Sequence, residues 1–403
     1  MSAIPQPRQT LDPAGIRATL DAHERFLSGR PGGRRANLAH FDLSNLDLEG
    51  ACLAEAEMTG ACLNGAILTR ADLSRAVLFG ADLREADLRI ANLSCADLRG
   101  VCLRGANLAD ADLSGTDLRE GRIAVPDQQL GLRILTHDRK AGELDYAVLS
   151  RARLTGAQIS EPAARIADLT DTILTGARMA GARLVRALMD GADLTGADIF
   201  NADLSGASMQ RTMLSGVDVR SANLTSADLE GSLRAPPKHV FIDDRPLSEH
   251  LAEHQLYCAT AGVEGRPAQL AGADFRSLRQ LQGRVLTGLV APGAIFFGMN
   301  LEGAQLQGAN LAGADLRGVK LQDADLRGAR LVGAQMNRAD LRGASLGPLA
   351  ISEGRLLRAN LTRAVLRQAD LRGAVARRAR FLEADLAGAQ MAGADLTGAE
   401  LDS

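Results

Sequence analysis

A five-residue period dominates this chain. From residue 38 to residue 118, a Leu or Met occupies every fifth position, 17 times in succession. An α-helix would rotate this residue by about 140° at each repeat and scatter it over every face. A flat strand would move it to the opposite face at each repeat, because strand side chains alternate with a period of two. The chain must therefore bend once per repeat.

The stretch ANLSCADLRGVCLRGANLADADL, residues 91–113, shows how one repeat is built. Ala96 and Leu98 share the inner face, whereas Asp97 between them faces outward. The two residues after each leucine form a turn, and small residues such as Gly100 tolerate turn dihedrals. Bending in one sense coils the chain into a tube with turns about 4.8 Å apart. With only 3% aromatic residues, the core must consist of many small Ala and Leu layers.

Two sequence segments, ANLSC ADLRG and ADLTG ADIFN ADLSG, resemble the A(D/N)LXX consensus of the pentapeptide-repeat family. The resemblance implies an all-β solenoid, a right-handed quadrilateral β-helix with four repeats per coil. Residues four repeats apart would then stack, so that Asp97 lies over Asp117. Some members of this family bind bacterial DNA gyrase by imitating B-DNA.

Breaks in the period divide the chain. Residues 119–148 contain RIAV and LRILTH around a Pro-Asp turn, which predicts an inserted hairpin or loop. The last run keeps its phase through GPLAISEGRLLR, which predicts that the β-helix continues there with Ile351 and Leu356 in register. The predicted segments are an arm with a capping helix over 1–35, a β-helix over 36–118, the insertion over 119–148, a β-helix over 149–231, a linker with a second capping helix over 232–267, and a β-helix over 268–403.

The two predicted capping helices share one pattern. Asp12 and Pro13 mark the start of the first helix. A solenoid end exposes unpaired backbone and apolar side chains, so that each helix is expected to cap a module. We interpret the histidine of each helix as buried and bonded to a backbone group, because each inner face carries only one histidine. The inner faces are Ile16, Leu20, His23 and Leu27 in the first helix, and Leu247, Leu251, His254 and Cys258 in the second.

Charge and cysteine content indicate the compartment and the class of partner. The net charge is −3, five cysteines form no CxxC pair, and no apolar run is long enough to span a bilayer. We therefore expect a cytoplasmic protein without membrane attachment, and we do not expect direct nucleic-acid binding. Residues 36–119 carry 13 acidic and 7 basic side chains, whereas residues 268–402 carry 13 acidic and 17 basic ones.

No catalytic or cofactor motif accompanies the repeats. Catalytic carboxylates need distinct environments, whereas identical aspartate rows on a solvated surface supply none. We therefore expect no enzyme activity, no cofactor and no metal. The leading hypothesis is a scaffold that presents side-chain columns to a protein partner. One alternative is a gyrase-binding DNA mimic, which the near-neutral charge opposes, and another is an enzyme or ligand-binding protein that uses the 119–148 insertion.

Three sets of residues are candidates for contacts. Apolar residues that replace the outward Asp, or occupy a turn, form a candidate partner surface: Val285, Val290, Ile295 and Phe297, and in the first module Ile67, Val77 and Phe79. The insertion supplies the candidates Arg133, His137, Asp138 and Arg139. The chain ends on the repeats of ADLTGAELDS, which predicts a homodimer through the coil of Leu386, Met391, Leu396 and Leu401.

Overall fold

The computed structural model describes residues 9–120, 123–127, 131–135, 144–159, 165–278 and 281–402, with the backbone alone for 123–127 and 131–135. The chain divides into two compact units, Met1–Ala235 and Pro236–Ser403. Each unit has a continuous core in which alanine and leucine predominate, and its residues are almost completely buried.

The first elements of unit 1 that the structure describes are a short strand and a helix. Strand β1 (Gln9–Thr10) pairs in parallel with β2 (Phe41–Asp42), and helix α1 (Pro13–Leu27) lies between them in the chain. The Asp12 carboxylate caps the helix by accepting the N–H of Gly15 at 2.7 Å. The sequence therefore placed the start of α1 correctly.

Coils follow, and each coil consists of four repeats. Ile67 bridges Asp87, and Asp87 bridges Asn107, in parallel ladders that run along the solenoid. The N–H of Leu68 donates to the Asp87 carbonyl at 2.7 Å, and the N–H of Asp87 donates back to Ala66 at 2.9 Å. Because the main-chain groups on each side are paired between coils, the leucine core forms without long strands.

The turn after each repeat explains the glycine content. In one such turn the N–H of Ala71 donates to the Leu68 carbonyl at 3.0 Å. The second turn residue, Arg70, has φ +59°, as a type II turn requires. Glycine adopts this left-handed conformation at no steric cost, and Gly105 does so at φ +68°.

The insertion in unit 1 leaves the coil between two repeats. Strand β3 (Ile123–Asp127) pairs antiparallel with β4 (Gly131–Leu135). The ladder steps from Asn107 directly to Val148, which is about twice the sequence separation of the ordinary step from Asp87 to Asn107. A 3₁₀ turn at Val219–Ser221 lies near the end of unit 1.

Unit 2 repeats the helix-then-coil order. Strand β5 (Phe241–Ile242) pairs antiparallel with β6 (Arg245–Pro246), and helix α2 (Leu247–Ala259) follows. A 3₁₀ turn covers Phe275–Ser277. The first ladder steps of this unit, as between Gln269 and Val290, are one position longer than the step of four repeats that follows.

The prediction of an uninterrupted last run was wrong. Strand β7 (Leu349–Ser352) and strand β8 (Arg355–Leu357) form an antiparallel hairpin outside the coil, and the ladder steps over it from Arg330 to Asn360. Ile351 and Leu356 are therefore about half exposed and do not lie in the core. This hairpin lengthens the ladder step by a whole number of repeats and so preserves the five-residue phase, which is why the sequence did not reveal it.

Candidate interaction surfaces

The outward aspartates bond to their own turns. The Asp97 carboxylate accepts the backbone N–H of Arg99 at 3.2 Å and the guanidinium of the same arginine at 2.8 and 2.6 Å. The described residues contain nine pairs of this kind: Asp82–Arg84, Asp87–Arg89, Asp97–Arg99, Asp117–Arg119, Asp274–Arg276, Asp315–Arg317, Asp325–Arg327, Asp340–Arg342 and Asp370–Arg372. Bonding to Arg119 lowers the pKa of Asp117. In all nine pairs the carboxylate accepts hydrogen bonds from its own turn, whereas a general acid has to donate a proton.

The turn arginines of the basic segment 268–402, which could otherwise bind an acidic partner, are neutralised in the same way. Arg317, Arg327, Arg342 and Arg372 each bond the aspartate two residues earlier. Arg377 pairs with an aspartate in the next coil. The excess of basic residues over 268–402 therefore does not produce a row of unpaired cations at these positions.

The two helix histidines occupy matching sites. His23 is buried, accepts the Ala36 N–H at Nδ1 (3.0 Å) and lies 2.9 Å from the Ala54 carbonyl at Nε2. His254 is also buried and accepts the Ala268 N–H at Nδ1, at 3.1 Å. Burial lowers the pKa of both histidines. Each histidine joins its helix to the first repeat of the following coils, as the backbone-bonding interpretation predicted.

The candidate surface of unit 2 does not form one patch. Val285, Val290 and Ile295 belong to consecutive repeats, so that they lie on three successive sides of a coil and in three different ladders. Only Ile295 and Phe297 are neighbours, and the Arg317 guanidinium covers the Phe297 ring at 5.2 Å from its centre. Consecutive repeats face different sides of the coil, so that neighbours in the repeat are not neighbours in space.

The candidate surface of unit 1 divides in the same way. Val77 stacks between Glu57 and Asp97, whereas Ile67 lies in a ladder two repeats away. Phe79 follows Val77 at the turn, and the Arg99 guanidinium lies 5.2 Å from its ring centre. Val77 and Phe79 thus share one corner, and Ile67 belongs to a different side of the coil.

The insertion and the last coil complete the set of candidates. Arg133 lies in strand β4, whereas His137, Asp138 and Arg139 lie outside the described residues. The last coil of unit 2 brings its candidates into one ring, and they are less buried than the leucines of earlier coils: Leu386, Met391, Leu396 and Leu401. Among the described residues, the N–H groups of Leu386, Met391 and Leu396 donate to no backbone carbonyl.

One apolar surface was missed. We name it the Ile67 side: the ladder through Ile67, Asp87, Asn107, Val148, Asp168 and Leu188 with its two flanking turns. Five large side chains are exposed there: Ile67 (41%), Ile90 (56%), Tyr146 (60%), Ile166 (41%) and Leu188 (45%). The spacing of four repeats would have revealed part of it, but the insertion displaces all later residues from that spacing. A depression of about 480 Å³ lies along the turn that follows this ladder, around Ile67 and Ile90.

The described residues form neither a metal-binding cluster nor a membrane-spanning helix. The described part of the chain contains no group of three or more His, Cys, Asp or Glu residues placed to hold a metal ion. Within the same residues, no helix combines the length and hydropathy needed to cross a bilayer.

Comparison with protein families decides the assignment. The family model described as Pentapeptide repeats matches residues 34–70, 63–93, 71–108, 91–122, 167–199, 192–231, 286–323, 320–347 and 358–401, more than half of the chain. This chain belongs to the pentapeptide-repeat family. Members of the family form right-handed quadrilateral β-helices, and the ladders of this pentapeptide-repeat protein advance by the corresponding four repeats per coil.

Three solved structures are similar to this pentapeptide-repeat protein. HetL, a pentapeptide-repeat protein involved in heterocyst differentiation regulation from the cyanobacterium Nostoc sp. strain PCC 7120, is 21% identical over 97% of this chain and 94% of its own, with a TM-score of 0.20. Full-length QnrB1, a plasmid-mediated fluoroquinolone resistance protein, is 20% identical over 47% of this chain and 84% of its own, with a TM-score of 0.24. A pentapeptide-repeat protein of the Arabidopsis thaliana thylakoid lumen is 26% identical over 32% of this chain and 68% of its own, with a TM-score of 0.19. A search of curated proteins found no match.

Proposed function

We propose that this protein is a non-enzymatic cytoplasmic scaffold whose coils present ordered side-chain surfaces to a protein partner. The observation that carries the proposal is the use of the outward carboxylates. Each of nine aspartates is bonded to a turn N–H and to an arginine, so that these positions supply rigid surface and not a free acid or base. Exposed aromatic side chains such as Tyr146 and Phe200 remain available for contacts.

Helices α1 and α2 fit the role of caps in this scaffold. The first coil of a solenoid has no preceding coil to pair with, and a helix that covers it protects its edge. The bonds of His23 and His254 to the first repeat attach the helices at that place. The last coil of unit 2 is proposed to pair with a second copy of the chain.

The DNA-mimic alternative receives less support. Imitation of B-DNA requires dense negative charge, because duplex DNA carries one charge per about 1.7 Å of axis. In unit 1, Asp82, Asp87, Asp97 and Asp117 are each neutralised by an arginine two residues later. We therefore expect no inhibition of gyrase supercoiling at micromolar protein, and inhibition at that concentration would favour the alternative.

Affinity capture from the native cytosol tests the scaffold. The full chain is compared with a deletion of residues 121–141, which shortens the ladder step from Asn107 to Val148 to the ordinary step of four repeats. We expect the full chain to retain at least one protein that then binds saturably in purified form. A partner lost on deletion uses the insertion, and a retained partner uses the coils. A chain that binds no purified candidate saturably would overturn the proposal, as would catalytic turnover that persists through purification.

A further inference from the structure

The Ile67 side concentrates the exposed apolar side chains of unit 1. Among the other described residues of unit 1, only Phe26 and Phe200 are large apolar residues with similarly exposed side chains. Phe26 belongs to helix α1, and Phe200 lies at the turn after the ladder of Arg178 and Asp198, away from the Ile67 side. The repeat itself could place exposed apolar side chains equally well on any of the four sides of the coil. Their concentration on the Ile67 side is therefore a property of this sequence and not of the repeat.

Two of these residues adopt a costly backbone conformation. Ile90 and Ile166 have φ +62° and +56° at the second turn position, where glycine is the usual residue. A β-branched residue in the left-handed region is an outlier, and strain of this kind persists where something else compensates. Both side chains are exposed, so that burial within this chain does not compensate for it. Hydrogen bonds between coils hold both turns in this conformation, from the N–H of Ile90 to Ala109 and from the N–H of Ile166 to Val185, which leaves the two isoleucine side chains exposed for contact with a partner.

The charged residues that border the depression are paired with one another. Asp87 bonds Arg89 at 2.6 Å, and Asp110 bonds Arg151 at 2.6 Å, at the edge of the 480 Å³ depression. The side thus offers apolar contacts that alternate with the polar ladder residues Asp87, Asn107 and Asp168, and paired charges border its depression. A partner needs an apolar stripe there and no strong net charge.

The backbone determines which partner conformation fits. Ile67 N–H donates to Leu46 at 2.9 Å and Leu188 N–H donates to Ala167 at 2.9 Å, so that the main chain of this side is already paired between coils. An extended peptide finds no strand edge along it, whereas an α-helix satisfies its own main-chain groups. One side is about 10 Å wide, from three extended residues at about 3.3 Å each, which matches the helix diameter of about 10–12 Å.

The length of the row limits the size of the partner. Ile67 and Leu188 are five ladder steps apart, which is about 24 Å at 4.8 Å per step. A side of about 24 by 10 Å is far below the roughly 800 Å² per partner that a stable dimer of two copies needs. A helix of about 16 residues spans the row at 1.5 Å per residue.

We propose that the Ile67 side docks an amphipathic α-helix of a partner protein, with its apolar stripe against Ile67, Ile90, Tyr146, Ile166 and Leu188. This inference rests on the proposed scaffold function and names the chemistry of the partner. The contact is small, which places the complex among weak or transient interactions, with a dissociation constant of about micromolar order.

Two displayed peptide libraries test the proposal with the full chain as target. One contains 18-residue amphipathic sequences built from helix-favouring residues. The other has the same composition with prolines at internal positions that prevent a helix. We expect the helical library to yield binders, and we expect these to bind at least tenfold more weakly to the Ile166→Asn and Leu188→Ser variants. Phe200→Ser, which also removes an exposed apolar side chain, should change affinity less than twofold.

The variants separate loss of contact from loss of fold. Asn tolerates the left-handed region better than Ile, so that Ile166→Asn should unfold at a midpoint equal to or above that of the wild type. Absence of helical binders that depend on Ile166 and Leu188, or equal enrichment of the proline library, would overturn the inference. A native partner that binds both variants normally would also overturn it and leave the scaffold function standing. The scaffold function itself fails if no purified partner binds saturably or if catalytic turnover persists through purification.

Discussion

His23 should make the attachment of helix α1 depend on pH. Its Nδ1 accepts the N–H of Ala36, so that Nε2 carries the proton that is donated to the Ala54 carbonyl. Protonation of Nδ1 would place two donors face to face inside a buried site. Burial lowers the pKa, with the Ala54 carbonyl and Glu55 raising it and Arg35 lowering it further.

The sign of the effect follows from this lowered pKa. The unfolded state takes up a proton near pH 6.5, whereas the attached helix takes it up only at lower pH. The stabilisation is therefore complete above about pH 6.5 and is lost as the pH falls towards the pKa of the attached state. The loss amounts to at most about 1.4 kcal/mol per pH unit, or a tenfold change in the opening equilibrium.

Hydrogen exchange of the α1 amides between pH 5 and 8, corrected for intrinsic exchange rates, measures this opening. We expect the wild-type opening equilibrium to rise by up to about tenfold per pH unit below 6.5. His23→Asn keeps an oxygen that can accept the Ala36 N–H and cannot titrate. This variant should lose the slope, and at pH 7.5 it should be less stable by about 1–3 kcal/mol because the Ala54 carbonyl loses its donor.

The control is His40→Asn, an exposed turn position with φ +63° where Asn is tolerated, and it should leave the slope unchanged. Helix α2 offers a second test in the same protein, because His254 bonds it to the following coil as His23 bonds helix α1. The His254 ring lies beside Cys258. Opening of α1 that is independent of pH in the wild type, or an equal slope in His23→Asn, would refute the argument.

Three further predictions concern stability and assembly. Asp315→Asn should lower the free energy of unfolding in urea by up to about 3 kcal/mol, because the side chain of its partner Arg317 is only 5% exposed. Asp325→Asn should lower it by less than about 1 kcal/mol, because the side chain of Arg327 is 47% exposed. Equal losses in the two variants would contradict this reasoning. Gly328→Ala should lower the melting temperature of the protein more than Gly333→Ala. Both glycines have positive φ, but only a Cβ at position 328 would contact the β7–β8 hairpin, at 2.9 Å. Equal melting temperatures would refute this prediction. Light scattering at high concentration should give a dimer mass that Leu396→Arg halves, and a monomeric wild type would exclude end pairing.

The period alone was enough to predict the coils. One bend in every repeat leaves no other regular solution, so that Leu98 had to face inward and Asp97 outward, and the structure has this arrangement. The N-cap of α1 and the burial of His23 and His254 also followed from local pattern. These features depend on residues that are close together in the sequence, and their spacing can be read from the sequence itself.

The surfaces could not be read in the same way. Whether Val285 and Val290 touch depends on which of the four sides each repeat takes, and consecutive repeats take different sides. Tyr146 lies on the same side as Ile67 only because the inserted segment leaves the coil between them. An insertion therefore breaks the relation between distance along the sequence and distance in space. The surfaces predicted from the repeat pattern were not contiguous, because consecutive repeats lie on different sides of the coil.

The two hairpins show that a corner of the coil does not fix the length of chain that passes through it. The ladder closes with the same pairing of the flanking repeats whether the step is ordinary, as between Ile67 and Asp87, or lengthened, as between Asn107 and Val148 or Arg330 and Asn360. Each turn is thus a place where foreign sequence could be grafted without disturbing the layers above and below. A solenoid of this kind can change what it displays at one corner while its remaining corners keep their spacing.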